Sequence, residues 1–339
     1  MAIRQTAALV RKAKIIGTGS YVPSQVLTNQ ELAARIDTSD AWIVARTGIH
    51  ERRIAAPEEA TSDLAFAASV QALQMAKLSA EALDLVLVAT VTPDMQTPAC
   101  AVHLANKLGA KNAFAFDIGA ACAGSLFAMS VASQYIATGA AKKVLVVGAE
   151  LLSRITNWED RGSSILFGDG AGAMVLVSTE EADGPERGLL SLQLYSDGTA
   201  SDILCIPGGG SRAPLTAETL ALHHSKVLMR GREVYKFAVT ALVQATERLM
   251  GEHNLSVEQI QHVVAHQANA RILEAILERV GIPLEKACIN IDRYGNTSSA
   301  SVPLTMDEAN RAGKLKPGDL ILVMAIGAGM SWGAGLIRW

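Results

Sequence analysis

Cys122 lies in the stretch DIGAACAGS, residues 117–125, among Ala120, Ala121, Ala123 and Gly124. The hydrophobic run NAFAF precedes it and a long small-residue run of helical character follows, so the pattern sets the cysteine on a strand-to-helix turn. There the positive end of the helix dipole faces the sulfur, which favours thiolate and nucleophilic attack. The small neighbours leave room for a bulky acyl group and for backbone N–H groups to approach it. The competing reading is a core cysteine, since free cysteine is among the most buried residue types. Cys100, Cys205 and Cys288 lack this setting and read as structural.

Two further polar groups stand after apolar runs. His266 follows IQHVVA, with Asn269 three residues on. It is one of seven histidines, and by itself a histidine after a strand is more often a satisfied core group than a catalyst. Asn296, in DRYGNTSSAS, follows a glycine and reads equally as a turn residue or part of an N-cap cluster. What lifts all three is where the flanking elements place them.

Those elements alternate. Strands are expected at 13–23, 83–93, 112–119, 142–150 and 170–178, with helices near 59–77, 98–108 and 123–138. A second set follows: strands at 189–198, 260–267, 286–295, 318–329 and 332–339, and helices at 231–252, 270–280 and 299–312. The two sets match element for element, as two βαβαβαββ copies packed in a layered α-β-α-β-α sandwich. The spans are an extension over 1–13, one half over 14–182 and another over 183–339, joined at the polar turn near 180–188. Cys122 follows the third strand of the first copy, Asn296 the corresponding strand of the second, and His266 the second copy's second strand. Sites in open α/β sheets form beyond the carboxyl ends of strands, so the three can meet where the copies face each other.

Composition narrows the function. A net charge of −3 over 339 residues argues against a general nucleic-acid binder. Four cysteines with no CxxC pair show neither zinc spacing nor a disulfide framework, which suits a reduced, cytoplasmic protein without a metal. No apolar run reaches the ~18 residues a membrane span needs. The start, MAIRQTAALVRKAK, is basic and lacks the apolar core of a secretory signal. GTGS (17–20) and FGDGAGA (167–173) are not followed by helices, so a dinucleotide fingerprint fails and their glycines read as close-packing points. IGAGMSWGAG (326–335) can bring a backbone N–H against an oxyanion.

Taken together, KIIGTGSYVP, DTSDAWIVARTGIHERR, FDIGAACAG, DRGSSILFGDGAGA, MRGREVYKFAV, HQANARI, DRYGNTSSASVPL and GAGMSWGAGLIRW resemble β-ketoacyl-acyl carrier protein synthase III, in order from about residue 14 to 339. That family initiates type II fatty acid synthesis, has the thiolase fold and is usually a homodimer. The resemblance implies Cys122 as acyl-accepting nucleophile, His266 and Asn296 for decarboxylation, and the N–H groups of Cys122 and Ala328 as oxyanion hole. It implies an acyl-CoA site of Thr38, Trp42, Arg46, Arg161, Gly231 and Asn269. It further implies a carrier-protein rim of Arg232, Lys236 and Arg271, whose alternative is ordinary solvated charge. Acyl-CoA and malonyl-acyl carrier protein would be substrates, with no cofactor. Phe167, Thr97 and Ser125 would shape the acyl pocket. The last two depart from the family pattern, because aromatic residues are usual at both places. A small Thr97, supplied by the partner subunit, predicts acceptance of chains longer than acetyl.

The nearest rival is a condensing or acyl-transfer enzyme of secondary metabolism on the same fold. A degradative thiolase should carry a second cysteine in the carboxyl-terminal glycine stretch, and AIGAGMSW has none. A hydroxymethylglutaryl synthase should carry a glutamate before the cysteine, and 85–116 has none. A non-catalytic carrier-protein binding module is the rival of another class, and a nicotinamide oxidoreductase is disfavoured by the failed glycine pattern.

Overall fold

The computed structural model describes residues 12–179 and 187–339. Most of the basic extension and of the expected joint near 180–188 lie outside these residues. The strands in chain order are β1 Ala13–Tyr21, β2 Gln25–Thr28, β3 Glu51–Ile54, β4 Leu85–Ala89, β5 Phe114–Ile118, β6 Lys143–Leu151 and β7 Asp169–Ser178. There follow β8 Gly188–Ser196, β9 Leu204–Cys205, β10 Leu228–Met229, β11 His262–Ala265, β12 Leu320–Gly327 and β13 Ser331–Arg338.

One sheet has the order β1-β7-β6-β4-β5, the other β11-β12-β13-β8. β4 runs parallel to β5 and β6, and β11 parallel to β12, while β7 and β13 are antiparallel to their neighbours. Read from the edges, β1-β7-β6-β4 and β8-β13-β12-β11 are the same arrangement made twice.

The strands are apolar on both faces because both faces are covered. Side chains alternate across the sheet. In β6, Val144 and Val146 enter the core between the sheets, whereas Leu145 and Val147 join the outer core. In β12, Ile321, Val323 and Ala325 point inward and Leu322 and Met324 outward. Helices 124–138 and 301–311 fill the central layer through Leu126, Met129, Val302 and Met306. Helices 61–76 and 100–108 cover the first sheet's outer face, and 231–252 and 270–280 cover the second's. This is the expected five-layer sandwich. The glycine of GTGS packs as read: a Cβ on Gly17 would lie 2.3 Å from the Ala72 carbonyl oxygen, so strand and helix touch backbone to backbone.

One expectation needs correction, and a second element was not expected at all. Residues 286–295 form no strand. Val263 and Ala287 make an isolated bridge, and Ile291–Tyr294 is a helical turn. The alternating apolar pattern of ACINI is real, but the Gln267 carboxamide oxygen accepts the N–H groups of Asn290 (3.2 Å) and Ile291 (3.3 Å) in place of a strand neighbour. The second element is the β2–β3 hairpin, unforeseen in the sequence. The chain between its strands carries short helices over Asn29–Ala33 and Asp40–Thr47, and the latter bears Trp42.

Candidate active site

Cys122, His266 and Asn296 line one cavity of about 710 Å³. All three are buried, at 9%, 7% and 6% exposure, while Arg46, Arg232 and Arg271 in the same lining are exposed, which sets the trio at the depth of the cavity and the cations at its mouth.

Cys122 sits on a single turn, Ala121–Ala123, between β5 and helix 124–138. Ala121 has φ +45°, a left-handed conformation that a residue with a Cβ adopts only when its surroundings impose it. The helix does not deliver the expected thiolate. Burial pushes the Cys122 thiol up to about 12, the Ser298 hydroxyl pulls the other way and the charge of Glu150 adds to the rise. The resting sulfur is therefore protonated. The end of β12 presses against this turn: a Cβ on Gly327 would lie 2.4 Å from the Cys122 nitrogen, and Ala328 follows it in the lining.

His266 continues β11, its N–H donating to the Met324 carbonyl at 2.8 Å. Burial lowers its pKa to about 3, so the ring is neutral. Its Nδ1 lies 2.6 Å from the Ser301 hydroxyl, whose oxygen also accepts from Gln267 N–H (3.4 Å). With the Ser301 proton donated to Nδ1, hydrogen-bond logic assigns the ring proton to Nε2.

Asn296 is bridged to Phe167 and donates its N–H to the Leu166 carbonyl at 2.8 Å. Its Oδ1 accepts the Ser298 N–H at 2.8 Å, which fixes the side-chain plane and leaves the Nδ2 amide for the cavity. Asn296 thus follows a helical turn rather than the strand expected for it.

At the mouth, the Arg46 and Arg161 guanidinium carbons lie 4.3 and 4.8 Å from the Trp42 ring. Trp42, Arg46, Gly231, Asn269, Arg232 and Arg271 line the cavity. Asn269 caps helix 270–280 and donates to the Arg46 carbonyl at 3.0 Å, so it ties the two halves together here. Thr38 is not in the lining, and its Oγ1 is buried without a partner. Arg161 is outside it too, though it touches Trp42. Lys236 is exposed one helical turn beyond Arg232. Of the acyl-pocket residues, Phe167 lines the cavity; Thr97 is exposed, and Ser125 is fully buried outside the lining.

Sequence reasoning missed Glu150, Ser298 and Ser301, the polar groups behind the trio, and the apolar wall of Leu152, Ile155, Val227 and Met229. It also took Cys205 as structural, whereas Cys205 lines the cavity. Only Glu150 left a signal, a lone acid ending the apolar run KVLVVGAE.

The pattern of 3-Oxoacyl-[acyl-carrier-protein (ACP)] synthase III matches residues 116–198, and that of its C terminal part matches 250–339. A β-ketoacyl-[acyl-carrier-protein] synthase III of Desulfitobacterium hafniense is 49% identical over 325 residues, 96% of this chain and 97% of that one. The chain belongs to the β-ketoacyl-acyl carrier protein synthase III family. A member from Caldanaerobacter subterraneus is 48% identical over 96% of this chain and 98% of its own. The 3-oxoacyl-[acyl-carrier-protein] synthase III structure from Aquifex aeolicus superposes with a TM-score of 0.88 at 42% identity, over 96% of this chain and all of that one. The duplicated sandwich is therefore the thiolase fold of this family.

Proposed function

We propose that this enzyme condenses an acyl-CoA primer with malonyl-acyl carrier protein, with loss of CO₂, to start fatty acid synthesis. The observation that carries the reading is the meeting of Cys122, His266 and Asn296 at the bottom of one apolar cavity with cations at its mouth.

The chemistry runs in two halves. The Cys122 sulfur attacks the acyl-CoA carbonyl, the C–S bond to CoA breaks, and the thiol proton ends on the departing CoA sulfur. The tetrahedral oxyanion rests on the N–H groups of Cys122 and Ala328. Malonyl-acyl carrier protein then loses CO₂, and the electron pair of the broken C–C bond becomes an enolate. Its oxygen accepts from His266 Nε2–H and Asn296 Nδ2–H. A histidine held near 3 is a weak acid–base group at neutral pH, so it donates a hydrogen bond without quenching the carbanion. The enolate carbon attacks acyl-Cys122, the C–S bond breaks, and the Cys122 thiolate takes up a proton.

Trp42, Arg46 and Arg161 stack on and neutralise the nucleotide end of CoA, with Gly231 and Asn269 along its path. Arg232, Lys236 and Arg271 receive the acidic carrier protein. The enzyme works in the cytoplasm as a homodimer. Exposed Met95 (48%), Val102 (45%) and Phe114 (45%), on and near the loop bearing Thr97, support that pairing. Thr97 of each subunit then faces the partner's acyl pocket near Phe167, where its small side chain leaves room for chains longer than acetyl.

Priming of a specialised pathway is not favoured: the priming β-ketosynthase of the R1128 polyketide pathway superposes with a TM-score of 0.88 at 34% identity, no better than the synthase III structure from Aquifex aeolicus at 42%.

Mass spectrometry after exposure to acyl-CoAs of graded length tests nucleophile and pocket together. Acyl mass should appear on Cys122, including with chains beyond four carbons. Absence of any adduct sinks the catalytic reading in favour of a binding module; confinement to two to four carbons sinks the pocket argument alone.

A further inference from the structure

Glu150, near the end of β6, is fully buried. The two half-reactions make no use of its carboxyl group. Its Oε2 accepts from Val91 N–H (3.0 Å) and from the hydroxyls of Thr92 (2.8 Å) and Thr90 (3.2 Å). Its Oε1 accepts from the hydroxyls of Ser298 (3.0 Å) and Ser299 (2.9 Å). All five donors are neutral. A buried carboxyl held this way is costly, and a cost of this kind is kept where geometry must be fixed.

The position of the carboxyl shows what it fixes. Thr90, Val91 and Thr92 follow β4 of the first half, while Ser298 and Ser299 belong to the turn after Asn296 in the second. Ser298 is the link. Its side chain is bonded to Glu150, its N–H is bonded to Asn296 Oδ1, and it lines the cavity beside Cys122. It stands at φ +50°, left-handed for a residue with a Cβ, and the bond to Glu150 is a constraint that can hold it there. Without that bond, Ser298 can relax toward ordinary backbone angles, its N–H turns away, and the Asn296 amide loses its fixed plane.

We propose that Glu150 is a positioning residue for the decarboxylative half-reaction, acting through Ser298 to aim the Asn296 amide at the enolate oxygen. This rests on the function proposed above. Acylation of Cys122 uses backbone N–H groups and not Asn296, so the two half-reactions should part company.

The test follows them separately in the full-length enzyme. Glu150→Ala is compared with wild type for CoA release on acylation of Cys122 and for CO₂ release from malonyl-acyl carrier protein, with thermal unfolding recorded beside them. The expected result is acylation within about threefold of wild type and CO₂ release down at least about tenfold, with acyl-Cys122 accumulating during turnover. Glu150→Gln, which keeps an acceptor and the shape, should recover most of the lost rate. If Glu150→Ala does not fold, Ser298→Ala removes the same tether. Because the Ser298 hydroxyl also acts on the Cys122 thiol, only CO₂ release is read there; it should fall at least about tenfold, and an unchanged CO₂ release overturns the proposal. An equal fall in both half-reactions, a fall in acylation alone, or no fall in either overturns the proposal. Wild-type enzyme that neither acylates nor releases CO₂ instead sinks the functional reading, and the proposal with it.

Discussion

The two copies of the fold deliver their reactive groups differently. In the first, β5 completes a five-stranded sheet and hands the chain to Cys122 at the head of a 15-residue helix. In the second, the matching strand is missing, and Asn296 arrives on a helical turn clamped by Gln267 and Ser298. The nucleophile and His266 thus rest at the ends of regular structure, and Asn296 on side-chain hydrogen bonds. The first half-reaction should tolerate local disturbance of the polar network, and the second should not.

Replacing the nucleophile gives the largest separation. Cys122→Ala should lower condensation by roughly a thousandfold or more, since no acyl-enzyme can form. CO₂ release from malonyl-acyl carrier protein should persist, because Asn296 and His266 remain in place. Parallel loss of both activities would show that the halves are not separable.

The reverse experiment is Asn296→Ala. Removing one donor to the enolate should cost on the order of 10²–10³ in CO₂ release. Acyl mass on Cys122 should still appear at close to the wild-type rate.

His266 ties the comparison to stability. Its folded pKa, about 3, lies below the unfolded value of about 6.5, so the unfolded chain binds the proton first as pH falls. The stabilisation is complete above about pH 6.5 and is lost progressively below it. Between pH 7 and 5 the loss should be about 2 kcal/mol, read as a shift in the urea midpoint. His266→Gln should abolish that increment, and an unchanged pH dependence in the variant would show that burial does not depress the His266 pKa.

The same contrast explains what the sequence could disclose. β4, β6, β7, β12 and β13 are apolar on both faces, and each showed as a continuous run. Helices 231–252 and 270–280 matched their expected spans because periodicity and end signals agree there. Cys122 was legible through its turn. Asn296 was placed correctly near the site for a wrong reason, because ACINI has a strand's alternation but its N–H groups bond to a side chain 23 and 24 residues away in sequence. Glu150 and Ser301 were illegible in their roles, since each acts through partners more than 30 residues distant. The helix dipole at Cys122 was legible, but the burial that outweighs it depends on three segments meeting.

The smallest effect concerns the mouth, where first- and second-half cations differ in kind. Arg46 and Arg161 of the first half are held against Trp42, and Arg161 is also bonded to the Asp37 carbonyl at 3.1 Å. Arg232 and Lys236 of the second half stand exposed one turn apart on helix 231–252. Ordered cations suit a small ligand that stacks, and loose ones suit steering of a charged protein partner, whose effect falls with salt. Lys236→Ala should therefore raise KM for malonyl-acyl carrier protein by about two- to fivefold at low salt and leave KM for acyl-CoA unchanged. At about 0.5 M salt, where screening acts within roughly 4–5 Å, the variant and wild type should converge. An equal effect on both substrates would place Lys236 with the first-half cations and remove the distinction.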